Sequence, residues 1–313
     1  MNATVLDLVV AGTGSAGQRD AVRAAVASVP GWFREVAAPP EPAGTPGSGP
    51  HVAWVLADDD AWPQVAAAAI ERGAAAVVID TPRLITPADL ATLSEPAGPT
   101  GGRCPVIVAT RRSHAPQVRA FARLLRPLRD QVEWAELLVV EDGVGPVDGA
   151  PGLWDALTTL AAAGLDVEAI ESIAVGQRTL LVDARSVDAH NAGARVHVTT
   201  VGSRGAAPRM KLAAFGAFGS LTAQAGSPLV ASAGDVVRVS PDGACSVPTE
   251  YLTPRRLALR EVYAFVVDGV SVAPPLSAYE REVALVGQSI AWSIEPDSSR
   301  RIRSTSDDTV SKE

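Results

Sequence analysis

Three glycines at fixed spacing are the first residues in this chain that could do chemistry. Gly12, Gly14 and Gly17 follow an apolar run from Val5 to Ala11, and Ala21, Val22, Ala25, Val26 and Val29 then recur at helical spacing. A strand, a glycine turn and a helix start, in that order, would present backbone N–H donors and the positive end of a helix to a dinucleotide pyrophosphate. The candidate cofactor-binding residues are therefore Gly12, Gly14, Ser15, Ala16 and Gly17, with Ala57 at the end of a later buried strand. Lysine occurs only twice, at Lys211 and Lys312. The abundance of Ala, Gly, Pro and Arg beside so little Lys is what a GC-rich coding bias alone would give.

Hydride transfer to or from a bound nicotinamide also needs a positioned acid or base beside the reacting carbon. Asp80, Asp155 and His114 are the main candidates, with Lys211, Tyr251 and Tyr263 as further donors that the same cleft could use. For Asp80 and Asp155, helix capping or a solvated rim is the competing reading, and for His114 a cap or a surface position. Asp58, Asp59 and Asp60 invite a metal reading, but capping of the next helix explains them more simply. His197 alternates outward from a strand with Arg195 and Thr199, His51 and His190 fall in loops, and Tyr279 reads as a packing residue. Cys104 and Cys245 lack any nearby Cys or His companion, so neither a disulfide framework nor a metal site is expected.

These residues need elements to hold them. Strands are expected at 5–11, 33–38, 52–57, 74–79 and 105–109. Helices should start after the glycine turn, run from the Asp58–Asp60 cap to Gly73, extend from Thr86 to Ser94, and run from Ser113 to Leu125. Between Pro39 and Pro50 the chain is too rich in Pro and Gly for the crossover helix expected there. Alternating strands and helices imply an α/β Rossmann-like doubly wound parallel sheet over 1–126. Beyond it come a strand at 132–141, a helix at 153–164, strands at 172–176, 179–183, 194–201, 210–215 and 236–239, a short one near 246–247, and two last helices at 253–267 and 275–292. Successive strands with short links imply an α+β domain with an open antiparallel or mixed sheet over 127–295. The tail from 296 to 313 is Ser, Asp and Arg rich and is expected to be disordered.

Composition excludes several classes. A net charge of −8 on 313 residues gives no reason to expect nucleic acid or an anionic membrane as a partner, since both select Lys and Arg. No basic segment precedes an apolar core at the N-terminus, and no apolar run approaches the roughly 18 residues of a spanning helix, so a cytoplasmic location is expected.

The glycine fingerprint and the open sheet after it, with Gly216 to Ser220 in the sheet region and Leu276 to Arg281 opening the last helix, resemble the glucose-fructose oxidoreductase and inositol dehydrogenase (Gfo/Idh/MocA) family. In that family a strand ends in Glu-Lys-Pro with a catalytic lysine; here Asp80, Thr81 and Pro82 stand in those places. The family's Asp and, four residues later, His on a helix correspond to Asp155 and Thr159, and its arginine-bearing strand end to Arg111, Arg112 and Pro116. The acidic residue near the ribose is replaced by Pro39, with Glu35 nearby. The resemblance implies an NAD or NADP cofactor, bound weakly, and an oxidoreductase acting on a sugar, cyclitol or related polyol. Its divergent catalytic set would be Asp155, Asp80, Thr81, Thr159 and His114. The alternative is a non-catalytic relative serving as a partner subunit or metabolite-binding protein. The resemblance further implies association through the open sheet face, as a homodimer or as a heterodimer with a related oxidoreductase.

Overall fold

The computed structural model describes residues 4–37, 50–80, 82, 84–94, 104–109, 112–141, 149–186, 193–227, 231, 234–270 and 276–293. Five strands, β1 (Leu6–Thr13), β2 (Phe33–Val36), β3 (His51–Ala57), β4 (Ala76–Asp80) and β5 (Val106–Ala109), form a parallel sheet in the order β2-β1-β3-β4-β5. All seven residues of β3 are buried because both faces of the sheet are covered. On one face Ala53, Val55 and Ala57 share a core with α2 (Trp62–Glu71) and α3 (Pro87–Ser94), while on the other Val52, Trp54 and Leu56 meet α1 (Ala16–Ala27). The order reverses between β1 and β3, and open α/β sheets place ligand crevices at the carboxyl ends of strands that flank such a reversal. Thr13 and Ala57 are paired in register at that point.

Eight further strands form the second sheet: β6 (Val132–Glu141), β7 (Val167–Val175), β8 (Thr179–Ser186), β9 (Arg195–Gly202), β10 (Arg209–Gly216), β11 (Gly219–Ala225), β12 (Asp235–Ser240) and β13 (Gly243–Pro248). Their order is β13-β12-β11-β10-β6-β9-β8-β7, antiparallel throughout except for the central parallel pair β6–β9, so the sheet is mixed. Inward-facing Val196, Val198 and Thr200 of β9 are buried, as the alternation predicts, against a core shared with α4 (Pro116–Leu125), α5 (Gly149–Ala162) and α7 (Glu280–Ser293). Among the described residues no helix lies on the opposite face.

Helix α6 (Pro254–Asp268) comes after the last strand of the second sheet, yet it packs on the first. Ala258, Leu259 and Val262 complete the core around Leu6, Leu8, Val22, Trp54 and Val78, and the Tyr263 ring stacks on Trp32 at 4.8 Å. The helix is bounded by its own sequence: the Thr253 hydroxyl accepts from the Arg256 N–H at 3.2 Å, and Gly269 closes it at φ +69°.

Several expectations need correction. Helix α2 starts at Trp62 behind Ala61, with no side-chain cap: the Asp58 carboxylate is turned to the glycine turn, and Asp59 accepts from the Thr13 hydroxyl and the Ala61 N–H rather than from the first turn of the helix. Helix α4 starts at Pro116 rather than Ser113, since Ala115 before the proline is held extended. Strand β11 has no counterpart among the expected strands; Gly219 at φ +99° turns the chain back so that Phe215 pairs with Ser220. Strand β7 begins five residues before its expected start, helix α5 four before, and the short strand near 246–247 is the longer β13. His51 is a buried strand residue, not a loop residue. The Pro39–Pro50 loop, His190 and the 296–313 tail lie wholly or almost wholly outside the described residues.

Candidate functional site

The glycine turn lies where the crevice should be. Gly12 adopts φ +85°, and a Cβ there would lie 2.5 Å from the Leu56 carbonyl oxygen. A Cβ on Gly14 would lie 2.5 Å from Leu56 Cδ1 and 2.8 Å from Gln18 Oε1. Both glycines are demanded by the close approach of β3. Gly17 is not: its nearest neighbour would be Ser15 Oγ at 3.9 Å. Ser15 caps α1, accepting from the Gln18 N–H at 3.2 Å while Gln18 Oε1 accepts from the Ser15 N–H at 3.0 Å. Ala16 opens the helix.

Two carboxylates from the end of β3 face this turn. Asp58 Oδ2 accepts from the Ser15 N–H at 3.3 Å and Asp58 Oδ1 accepts from Gln18 Nε2 at 2.5 Å. Asp59 accepts from the Thr13 hydroxyl and, at 3.0 Å, from the Ala61 N–H. The nearby cation, Arg19, donates to the Gly12 carbonyl at 2.6 Å. Glu35, the remaining acid on β2, pairs with Arg23 at 3.2 Å. Ala57 is buried beside Thr13, and Pro39 lies outside the described residues.

Asp80 ends β4 in the interior. Its Oδ2 accepts from Arg255 Nε at 2.9 Å and from Trp54 Nε1 at 3.2 Å, which ties α6 to the sheet. Thr81 lies outside the described residues. His114 is also fully enclosed, with Nε2 3.3 Å from Glu261 Oε2 and Nδ1 3.1 Å from Ser113 Oγ. Burial holds its pKa below the ordinary 6.5 despite Glu261. Burial likewise opposes ionisation of Glu261, but its contacts with His114 and with Arg119 at 3.0 Å keep its carboxyl below the ordinary range.

Asp155 and Thr159 share one turn of α5. The buried Arg112 guanidinium contacts the Asp155 carboxylate and, at 2.6 Å, that of Glu141. Burial works against the charge on Arg112, yet the two carboxylates hold its pKa above the ordinary value. The Thr159 hydroxyl donates back to the Asp155 carbonyl at 2.6 Å and is wholly buried. Tyr279 packs edge-on to Trp154 at 5.9 Å, and burial pushes its hydroxyl pKa up. Burial also pushes the Cys104 thiol up to about 12.

The main candidate acids and bases thus belong to three ion-pair groups, Asp80–Arg255, His114–Glu261–Arg119 and Asp155–Arg112–Glu141, the first two near enough for the Asp80 charge to act on His114, while Tyr263 donates to the Thr4 carbonyl at 2.8 Å and Tyr251 and Lys211 are exposed. The partners Arg255, Glu261 and Glu141 carry no sequence signal, since each meets its mate only through tertiary contact. Among the described residues no group of His, Cys, Asp and Glu is arranged to hold a metal, and no helix is long and apolar enough to cross a membrane.

No protein-family model and no curated protein sequence matches this chain. Solved structures do. An oxidoreductase from Sinorhizobium meliloti is 14% identical, with 91% of this chain and 96% of that one covered at a TM-score of 0.69. A UDP-N-acetylglucosamine 3-dehydrogenase from Acidithiobacillus ferrooxidans is 13% identical over the same shares at 0.64. A mutant of a 3-ketoreductase from Actinomadura kijaniata, solved with TDP-benzene and NADP, is 14% identical over 91% and 96% at 0.63. The chain therefore has the fold of these oxidoreductases, a Rossmann-like parallel sheet joined to a mixed sheet, as its resemblance to the Gfo/Idh/MocA family implied.

Proposed function

We propose that this chain is a non-catalytic protein of oxidoreductase fold that works as a pairing subunit, with the bare face of its eight-stranded sheet as the pairing surface. The observation that carries the reading is the state of the candidate acids and bases. A general acid or base must reach the reacting group with a free lone pair or proton. Asp80 and His114 are enclosed and ion-paired, with the unpartnered Asp80 Oδ1 itself buried, Thr159 spends its hydroxyl on a backbone carbonyl, and Asp155 lies against the Arg112 guanidinium. None is left to exchange a proton with a carbinol. The residues at the glycine turn also do not fit a dinucleotide, because carboxylates stand beside the donors that a pyrophosphate would need.

The bare sheet face supports the pairing half. Arg185, Arg195, Trp134, Phe215, Ser220 and Val239 form one row across the strands; Asp183, His197, Glu136, Ala213, Thr222 and Val237 form the next; Leu181, Thr199, Leu138, Lys211 and Gln224 form the third. Phe215, Leu181 and Val239 are exposed, and the Trp134 ring lies over His197. An acidic row flanked by rows carrying Arg185 and Arg195 on one side and Lys211 on the other is self-complementary when two copies meet about a two-fold axis offset by one row. The occupant proposed is accordingly a second copy of this chain. Sedimentation equilibrium tests it: the natural chain is expected to be a dimer at micromolar concentration, and Phe215→Arg, with an unchanged circular dichroism spectrum, a monomer. A natural chain that sediments as a monomer overturns the pairing half.

A further inference from the structure

We infer that the crevice at the end of β1 is occupied from within: Asp58 and Asp59 serve as the anion of this helix N-terminus and keep a dinucleotide pyrophosphate out. A glycine turn feeding a helix is an anion site because its first backbone N–H groups point outward with no partner in the helix and carry the positive end of its dipole. Here the carboxylates supply the negative charge, and Asp58 supplies an acceptor for the N–H of the cap residue Ser15. Asp58 reaches the Ser15 N–H at 3.3 Å, and the Gln18 side chain, also held by Asp58 at 2.5 Å, accepts from that same N–H at 3.0 Å. Asp59 takes the Thr13 hydroxyl on the other side of the turn. Arg19, on the first turn of α1, donates to the Gly12 carbonyl at 2.6 Å. Close packing adds to this: Leu56 fills the space over Gly14 into which a ligand backbone would have to settle.

The consequence is electrostatic as well as steric. An incoming pyrophosphate brings two negative charges against two carboxylates, one of which already takes the Ser15 N–H, while Arg19 donates to the Gly12 carbonyl. Both aspartates are exposed, so water screens the repulsion, and each is expected to weaken binding by about fivefold at contact distance in a high dielectric, or about tenfold to a hundredfold for the pair together with the lost donors. A natural chain that binds a dinucleotide without oxidising anything overturns the exclusion at the glycine turn and leaves the ion-pair argument against turnover standing.

The test is titration of the full-length chain with NADH, NADPH and ADP-ribose, read by saturation-transfer NMR in the millimolar range and by calorimetry where binding is tighter. The natural chain is expected to show no saturable binding below millimolar concentration. The double variant Asp58→Asn with Asp59→Asn is expected to gain tenfold to a hundredfold in affinity for all three ligands, since the shared pyrophosphate is what the carboxylates exclude. Asp60→Asn makes the same kind of charge change two residues from Asp58 and is expected to gain nothing. Should the double variant lose its cooperative melt, Asp58→Asn alone, which keeps an acceptor for the Ser15 N–H, is expected to gain about fivefold. Micromolar binding by the natural chain, an equal gain from Asp60→Asn, or no gain in folded variants lacking these charges overturns the inference.

Discussion

Removing Arg255 while leaving Asp80 in place would strand a carboxylate inside the protein. The Asp80 side chain is 1% exposed and that of Arg255 10%, and the remaining donor to the carboxylate would be Trp54 Nε1 at 3.2 Å. Breaking a buried ion pair from one side typically costs about 3–5 kcal/mol, because the surviving charge keeps its desolvation penalty and loses its partner. Asp80 Oδ1 already lacks a hydrogen-bond partner, so little remains to compensate, and Arg255→Met is expected to reach that range. With an unfolding entropy of about 2.1 cal/mol/K per residue over 313 residues, the loss corresponds to a fall of roughly 5–8 °C in Tm. Adding Asp80→Asn removes the stranded charge and should recover all but about 1–2 kcal/mol, since an amide can still accept from Trp54. Calorimetry and urea midpoints on the four members of this double-mutant cycle measure the coupling directly. If Arg255→Met costs less than about 1 kcal/mol, or if Asp80→Asn adds to its cost instead of relieving it, the pair does not tie α6 to the sheet and Asp80 is free for another role.

His114 has a folded-state pKa below 6.5, so below about pH 6.5 the unfolded chain binds more protons and stability must fall as the pH drops; His51, also lowered by burial, adds in the same direction. Urea midpoints measured between about pH 8 and pH 5 should show this decline, and His114→Gln should flatten it, whereas a rise in stability on acidification contradicts the burial argument. Gly14→Ala is expected to cost about 1–3 kcal/mol through its clash with Leu56, while Gly17→Ala, in open space within a helix, should add about 0.5–1 kcal/mol; thermal melts that rank them the other way would show that β3 does not press on the turn. Thr159→His puts an imidazole into a fully enclosed site and is expected to cost about 1–3 kcal/mol without any gain in turnover, and a gain in polyol oxidation would contradict the placement.

The architecture is legible in the sequence wherever periodicity and turn chemistry are local. Strand β3 can be read from its unbroken apolar run, the start of α6 from Thr253 and Pro254, and the outward set on β9 from its alternation. The parallel pairing of β6 with β9 cannot, because nothing in the composition of either strand names the other as its partner. At the site, the residues can be named from the sequence and their states cannot. Asp58 and Asp59 read as helix caps because their sequence neighbours open a helix, while the glycine turn they face lies more than 40 positions away. His114 reads as a surface or capping residue because Glu261, on the enclosing α6, comes from the far end of the chain. Charge partners of this kind leave no periodic trace, so a residue type with catalytic potential and one locked in an ion pair look alike until the fold is known.

Whether this oxidoreductase fold carries a working hydride-transfer site can be decided by following nicotinamide absorbance while the natural chain is incubated with a panel of sugars and cyclitols and high NAD or NADP. No turnover above the enzyme-free rate is expected with any combination, in either direction. A turnover number of about 1 per second or more on any of them would contradict the non-catalytic reading, since that is an ordinary rate for a functioning enzyme and would require an acid or base that the three ion-pair groups do not leave free.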